Sequence, residues 1–451
     1  MPVNIIPRRL SFSEFKVEPI SLAALHLSME SVDYAAARCS FFYEIAPDYL
    51  AEIINHQNLP AARAAAIFDN NNLVINKAKS IFSSDYISIA RIASIFNSEN
   101  LSLGRLVEIL GSFSADKAQA VLYHDNLSIW RLIEIVSYGA PDTEISSDTT
   151  ISGVNRYGDI IIDSAATLSI DSQPGVLLCD YIENNGVISK IPTGAAGGNP
   201  GAGVGKGGDG GGGLIIISKS FKNNSTIKAN GQDGESGGTT ASTADGSAGS
   251  DGQMERVGTD TAGSGGDGGE GTSGASGSGN VGGGGGGSNT AGYGKGGNGG
   301  DITYINNNSI LDLVDKLKKA IADWYLINVL GKTPTSTTDF PSSYGAGGGG
   351  GGDTDGIGDC GGGGGSGGHI LVLAESFENT GTIEANGGAG GNGGSEAYRD
   401  SAGGGGGGGI VYVLYKTLIN QGTLQALGGD GGTGDYNGGA GGNGVAKAFA
   451  I

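Results

Sequence analysis

Gly210–Gly231 reads GGGGLIIISKSFKNNSTIKANG. Its apolar run, Leu214 to Ile217, is mostly β-branched and extends through Phe221 to Asn223-Asn224-Ser225, and the alternating piece Thr226-Ile227-Lys228 follows before glycine resumes. β-Branched runs favour strands, and Asn tolerates the left-handed backbone of a tight turn. The stretch therefore reads as a strand, a turn and a short second strand, entered and left through glycine.

The same template recurs at Val176–Ile188 (VLLCDYIENNGVI), Ile370–Gly387 (ILVLAESFENTGTIEANG) and Val411–Gly428 (VYVLYKTLINQGTLQALG). Equivalent positions are Asn184, Asn223, Asn379 and Asn420, and again Ile188, Ile227, Ile383 and Leu424. The asparagine spacings are 39, 156 and 41 residues, which points to a unit near 40 with one long interruption. That interruption holds glycine-serine segments, a degenerate start at Asp301–Ile305 and a helical pattern over 308–330 with Gly331 placed to stop it. Recurring units bury what one copy cannot. The expectation is a β-solenoid-like layer that buries the Ile, Leu and Val columns together with Phe221, Phe377 and Leu418, with residues 149–170 as its opening rungs.

Of the 90 glycines, 88 follow position 138, in runs such as Gly347–Gly352, Gly361–Gly365 and Gly403–Gly409. Glycine loses more conformational entropy on ordering than any other residue, so these runs either act as flexible linkers or pack backbone directly on backbone. Collagen is excluded, because glycine does not recur strictly every third residue and only six prolines follow position 138. Alternation with four matched apolar units favours order. Packed polyglycine helices are expected near 196–213, 345–368, 386–409 and 428–444, while 232–275 is free to stay mobile.

The first 138 residues differ. Rows of fourteen laid over 60–115 align Arg63, Lys77, Arg91 and Arg105 in one column, Ile67, Ile81, Ile95 and Ile109 in another, and Leu59, Leu73, Ile87 and Leu101 in a third. Apolar positions three and four apart, as in Leu103, Leu106, Val107 and Leu110, predict a short helix in each row. Steps such as Asp69–Asn72 and Asn97–Asn100 end one helix, and Ser102 or Ser128 caps the next. Helices this short depend on their neighbours, so an α-solenoid-like array over about 46–136 is expected. Its basic column reads as a solvated face or, alternatively, as a stripe for a docking partner. The fold class expected is α+β and multidomain, with a helical docking domain at 1–138 and a glycine-rich domain at 139–451.

Charge is uneven. Residues 1–138 hold 11 Lys+Arg and 14 Asp+Glu, leaving 15 and 32 for the rest, so −17 of the net −20 lies in the glycine-rich part. That balance argues against nucleic acid and anionic membrane as partners. Cys39, Cys179 and Cys360 are too few and too dispersed for a disulfide framework or a zinc site. Neither an export signal nor an apolar run of membrane-spanning length is read in the sequence.

Chemistry-bearing motifs are sparse. Gly201–Lys206 has the wrong spacing for a phosphate loop, and Gly207 stands where a hydroxyl is needed. His26, His56, His124 and His369 show no triad or metal spacing. Asp353, Asp355 and Asp359 form a weak calcium candidate, because calcium takes several oxygens on a flexible loop. Otherwise no cofactor is expected. Side chains that interrupt glycine are the receptor-contact candidates: Phe340, Tyr344, Tyr398, Arg399 and Tyr436.

The segments GGGGLIIISKSFKNNSTIKANG, GGHILVLAESFENTGTIEANGG and GGGGGGGIVYVLYKTLINQGTLQALGG make residues 150–451 resemble the glycine-rich adhesins of bacteriophage tail fibres. In that family strands alternate with packed polyglycine helices, and segments between glycine blocks form the receptor-contacting tips. The resemblance implies a non-enzymatic virion surface protein. Its helical repeat would attach to other virion proteins, its glycine-rich domain would bind a host receptor or glycan or stabilise the surface, and it could form a homo-oligomer. The alternatives are a cellular surface adhesin or filament subunit, and a glycan-degrading tail protein.

Overall fold

The computed structural model describes residues 47–56, 59–70, 73–198, 205–237, 247–258, 302–349, 360–394 and 401–451. It is an α+β protein with two sheets made of parallel strands. Two compact units emerge: one of the described residues up to Arg131 together with Trp324–Ser336, the other of Leu132–Asp323 and Thr337–Ile451.

In the first unit the rows of fourteen are helices of eight or nine residues: α1 (Pro47–Asn55), α2 (Ala61–Asp69), α3 (Ile75–Ser83), α4 (Ile89–Phe96), α5 (Leu103–Leu110) and α6 (Ala115–Tyr123). α7 (Ile129–Ser137) straddles the boundary between the units. The isoleucine and leucine columns are buried as expected. A phenylalanine column joins them, with ring centroids 4.2 Å apart for Phe68 and Phe82, 5.5 Å for Phe82 and Phe96, and 6.0 Å for Phe96 and Phe113. Each helix packs chiefly on the helix two rows further on.

Two members of the basic column, Arg91 and Arg105, add a longer link across three rows, which corrects the reading of these two as part of a solvated face. Arg91 donates through Nε to the Ile54 carbonyl (2.7 Å), in the last turn of the helix three rows back, and through Nη2 to that of Leu59 in the connection that follows it. Arg105 does the same to Phe68 and Leu73, and Arg131 to Phe96 (3.0 Å) and Leu101 (2.5 Å). Carbonyls at a helix C-terminus lack intrahelical donors and carry partial negative charge, so each guanidinium satisfies one of them, together with a carbonyl of the following connection, and adds charge complementarity. A parallel set runs the other way: Asn55, Asp69 and Asn97 accept from the backbone N–H of Ser88 (3.0 Å), Ser102 (2.8 Å) and Ser128 (2.8 Å). The Ser128 hydroxyl caps its helix by accepting from Arg131 N–H, whereas that of Ser102 makes no cap bond. Trp324–Ser336 also belongs to this unit, and there Lys332 donates to the Phe113 carbonyl and Ser336 accepts from Gln119 Nε2 at 2.7 Å.

The second unit contains β1 (Thr143–Ile145), β2 (Thr149–Ile151), β3 (Val154–Ile162), β4 (Thr167–Ile170), β5 (Gly175–Asn184), β6 (Val187–Lys190), β7 (Gly213–Asn223), β8 (Thr226–Lys228), β9 (Gly252–Val257), β10 (Ile302–Asn308), the part of α8 (Ile310–Asn328) up to Asp323, β11 (His369–Asn379), β12 (Thr382–Glu384), β13 (Ile410–Asn420), β14 (Thr423–Gln425) and β15 (Val445–Ala450). One sheet runs β1-β3-β5-β7-β11-β13-β15 and the other β14-β12-β8-β6-β4-β2. Each long strand thus turns into a short strand of the second sheet, and the chain then returns one position further along the first. The segment at 301–305 does not start a further rung: β10 pairs with β9 in a separate two-stranded sheet, so part of the stretch expected to be mobile is a strand.

Register follows the sequence columns. Asn184 pairs with Asn223 and Asn223 with Asn379, while Ile188, Ile227, Ile383 and Leu424 line up across the short strands. Ile182, Phe221 and Phe377 share a buried line, and the two phenyl rings stack at 5.0 Å. The fourth copy departs from this pattern. A register shift between Phe377 and Glu378 sets Glu378 against Asn420, and Leu418, expected in the core, is 39 % exposed. Among the described residues β15 pairs with β13 only from Ile410 to Tyr415, and Leu418 lies beyond that stretch.

The glycine runs bond to one another with a period of three. In Cys360–Gly368, residues 361, 364 and 367 donate to the carbonyls of Ser401, Gly404 and Gly407, residues 362, 365 and 368 to Glu235, Gln232 and Ala229, and residues 363 and 366 to Gly349 and Ala346. Two further segments donate into the same run, Gly205, Gly208 and Gly211 on one side and Gly388 and Gly391 on another. Close approach explains the composition, since a Cβ on Gly364 would lie 2.0 Å from the Gly388 carbonyl oxygen. The fully buried runs 361–365 and 403–409 contain only glycine, whereas Asn386-Ala389-Asn392 and Leu427-Asp430-Thr433 carry a side chain at every third position, each intermediate in burial or exposed.

Candidate functional site

Three of the receptor-contact candidates are described. Phe340, Tyr344 and Tyr436 are all half-buried. Tyr344 is held by backbone bonds in both directions with Gln253, and the carbonyl of Tyr436 accepts from Ala402 N–H at 2.9 Å, so the glycine network fixes both. Tyr436 bridges to Ser401. Tyr398 and Arg399 lie outside the described residues, as do the calcium candidates Asp353, Asp355 and Asp359. Among the described residues no group of three His, Cys, Asp or Glu side chains could hold a metal ion.

Side chains at every third glycine position also support neighbouring segments. Asn386 and Asn392 accept through Oδ1 from the N–H groups of Leu427 and Thr433, both at 2.8 Å. Asn230 and Asp233 accept likewise from Asn386 (2.8 Å) and Ala389 (2.7 Å). The triplets NGGAGGN, LGGDGGT and NGGAGGN at 386–392, 427–433 and 437–443 carry this signal in the sequence. Only every third residue faces away from the packed backbone there, which makes those positions the places where side chains can vary.

A buried polar network lies where the long strands begin, on residues that sequence spacing did not single out as a group. The His369 ring is buried, meets Tyr412 edge-on at 5.8 Å and leaves Nε2 without a partner. Burial, reinforced by the charge of Lys316, pushes its pKa down to about 4. Glu255, 1 % exposed, pairs with Lys316 at 3.0 Å and donates its backbone N–H to the Ser343 hydroxyl at 2.9 Å. The Ser343 carbonyl accepts from Gln173 Nε2 at 3.1 Å, and Gln173 Oε1 accepts from Gly213 N–H at 2.9 Å. Lys190, also buried, donates to the Ile191 carbonyl at 2.8 Å and to Thr193. Burial lowers its pKa to about 8, opposed by Asp171. The network satisfies polar groups that would otherwise be costly inside the protein, and it ties β9 and α8 to the sheet.

The outer face of the first sheet carries alternating charge. Asp180, Lys219, Glu375 and Lys416 follow one another across β5, β7, β11 and β13, with ion pairs from Lys219 to Glu134 and, at 2.7 Å, from Lys416 to Glu375. Beside them Lys222 pairs with Glu183 at 2.9 Å, which together with Tyr181 holds that carboxyl below its ordinary value. Opposite charges on adjacent strands favour this register over a slipped one. The Cys179 thiol is buried and donates weakly to the Ile217 carbonyl, and its pKa is driven far above the ordinary range, which leaves it inert as a nucleophile.

Compared with protein-family models, curated proteins and solved structures, the chain matches none of them.

Proposed function

We propose that this chain is a non-enzymatic virion surface protein. In this reading the short helices form an α-solenoid that attaches to other virion proteins. The two parallel sheets form a β-solenoid whose glycine segments pack as polyglycine II helices, and this part presents a receptor- or glycan-binding surface to the host.

The observation that carries the proposal is the period of three in the glycine hydrogen bonds. A helix of three residues per turn with no internal hydrogen bonds directs successive N–H groups to three sides, which is how residues 361, 362 and 363 find three different partner segments. Such a lattice commits a large fraction of the chain to rigid backbone. Its use is to hold exposed side chains in fixed positions, so that little entropy is lost when they bind. Phe340, Tyr344 and Tyr436, anchored through or beside the network, suit the face of a sugar or an apolar receptor patch.

The test is immunological and functional. Antibodies against residues 139–451 are expected to label the surface of virus particles purified from cultures that express the chain, and to block attachment of those particles to cells. Particles that lack the protein, with label confined to the cell envelope, would overturn the reading in favour of a cellular adhesin.

A further inference from the structure

The four template turns, which join β5 to β6, β7 to β8, β11 to β12 and β13 to β14, close alike except the first. In the other three the column asparagine accepts from the backbone N–H two residues on: Asn223 Oδ1 from Ser225 (3.4 Å), Asn379 Oδ1 from Gly381 (3.1 Å) and Asn420 Oδ1 from Gly422 (3.2 Å). In the first, Asn184 Oδ1 has no partner, and among the described residues Gly186 N–H finds no acceptor. Backbone N–H groups inside a fold are rarely left so. This is also the one turn of the four in which that position is a glycine preceded by asparagine: Asn185–Gly186, against Asn224–Ser225, Thr380–Gly381 and Gln421–Gly422. Glycine is required there, since a Cβ on Gly186 would lie 2.2 Å from the carbonyl oxygens of both Ala166 and Asp163.

We propose that Asn185–Gly186 is a self-modification site, where the protein converts its own asparagine to aspartate and isoaspartate, and that the glycine network protects the other described Asn–Gly pairs. In the first step the Gly186 nitrogen gives up its proton and attacks Asn185 Cγ. The Cγ–Nδ2 bond breaks, and ammonia departs with a proton in place of the one lost, leaving a cyclic imide. Water then opens the ring at one of its two carbonyls, which yields aspartate in one case and isoaspartate in the other.

Both reacting groups are set up for this at the first turn. Asn224 Nδ2 donates to Asn185 Oδ1 at 2.8 Å, so a donor is already aimed at the oxygen on which negative charge develops during the attack. Asn185 is half-buried and lies between β5 and β6, outside both strands. The remaining pairs are held at both groups. Gly231, Gly387, Gly393, Gly438 and Gly444 donate their N–H groups to the carbonyls of Asn386, Leu427, Thr433, Gly432 and Ala426 at 2.6–3.0 Å. The asparagine before each of them accepts through Oδ1 from a backbone N–H outside the pair, at 2.8–3.1 Å. Attack at any of these must first break two bonds of the network, whereas at Gly186 none is broken. The products also act on the fold. Each adds a carboxylate beside Glu183, whose Oε1 already shares Asn224 Nδ2 at 3.4 Å. Isoaspartate further lengthens the backbone of a turn pinned by Asn185 N–H to Ile162 (2.9 Å) and Val187 N–H to Ala166 (3.0 Å), so the start of the asparagine ladder loosens as conversion proceeds.

The test incubates the full chain at mildly alkaline pH and reads each Asn–Gly pair by peptide mass spectrometry after digestion, with isoaspartate counted by enzymatic methyl transfer. In the folded protein Asn185 is expected to gain more acid than the other five asparagines together. In chains held unfolded in urea, all of these pairs are expected to convert at comparable rates. Asn224→Ala, at an exposed position, removes the donor to Asn185 Oδ1 and is expected to slow conversion at Asn185 severalfold, with the melting transition of a folded protein. A folded wild-type chain in which Asn185 stays intact while the unfolded chain converts would refute the proposal. So would network pairs that convert as fast as Asn185 in the folded protein, or an Asn224→Ala variant that melts like wild type and converts at the wild-type rate.

Discussion

Asn223 and Asn379, 156 residues apart in the chain, are adjacent in the sheet: Asn223 Nδ2 donates to Asn379 Oδ1 at 2.7 Å, with both side chains fully buried. Asn184 donates to Asn223 in the same way at 2.7 Å, and Asn379 ends the series on the Gln421 carbonyl at 2.7 Å. A buried amide satisfied by its own kind on the next strand fixes register, since a one-residue slip would orphan every member.

Replacing the middle of that ladder with Asn223→Leu is therefore expected to cost more than either end. It removes two ladder bonds, at about 0.5–1.5 kcal/mol each, and leaves Asn184 Nδ2 only the Thr226 carbonyl (3.2 Å) and Asn379 Oδ1 only the Gly381 N–H (3.1 Å). Asn184→Leu removes a single ladder bond and leaves the Asn223 oxygen with the longer bond from Ser225 N–H at 3.4 Å, while Asn184 Oδ1 has no partner to lose. Urea denaturation of the two variants checks the ranking, and equal losses would argue against a cooperative ladder.

Gly364→Ala and Gly405→Ala should both be severely destabilising, because each Cβ would lie 2.0 Å from a backbone oxygen, of Gly388 and Gly429 respectively. Neither neighbour is a side chain that can swing aside. Thr433→Ala, on an exposed position of an adjacent triplet, should stay within about 0.5 kcal/mol of wild type. Thermal melts together with amide exchange over 360–368 distinguish the cases. Fast exchange there in the wild-type protein would contradict a bonded glycine network.

Arg105→Met tests the arginine column. The substitution retains much of the apolar stem and removes the donations to Phe68 and Leu73. Hydrogen bonds from charged groups contribute about 1.5–3 kcal/mol each, so a loss of several kcal/mol in the helical transition is expected. A solvated arginine would give a change within about 0.5 kcal/mol, and far-UV circular dichroism during unfolding decides between these outcomes.

Some of this architecture was legible in the sequence because it depends on local pattern. The Ile188, Ile227, Ile383 and Leu424 column, the strand runs and the fourteen-residue rows repeat at short range, and periodicity reads such features directly. What depends on a partner far along the chain was not. Arg91 and Arg105 look like solvated cations until the helix ends 32 and 37 residues upstream are seen beside them. Leu418 occupies a core column in its own unit, yet it lies beyond the stretch of β13 that pairs with β15 and is exposed. The triplets NGGAGGN and LGGDGGT did carry the three-residue period, but the uninterrupted runs at 361–365 and 403–409 obscured it, because a segment bonded on all sides has no position left for a side chain. Of the candidate site, the aromatic interruptions were readable as breaks in glycine. The His369, Glu255 and Lys316 network, assembled from three separate stretches, was not.

The last of these groups predicts a pH dependence. His369 titrates near 4 in the folded protein against an ordinary value near 6.5. Above 6.5 the ring is neutral in both folded and unfolded chains and contributes no pH dependence. As pH falls below 6.5 the unfolded chain takes up a proton that the folded chain refuses, so stability is lost progressively until about pH 4, where the folded form protonates as well. The full difference corresponds to roughly 3 kcal/mol. Lys316 discourages the added charge and Glu255, already committed to Lys316, does not relieve it. His369→Phe retains an aromatic ring against Tyr412 and removes the titration. Because carboxylates also titrate in acid, the quantity to measure is the difference between wild type and variant in denaturation free energy from pH 7 to pH 4. That difference should shift towards the variant as pH falls, and a constant offset across the range would show that His369 is not protonated preferentially on unfolding.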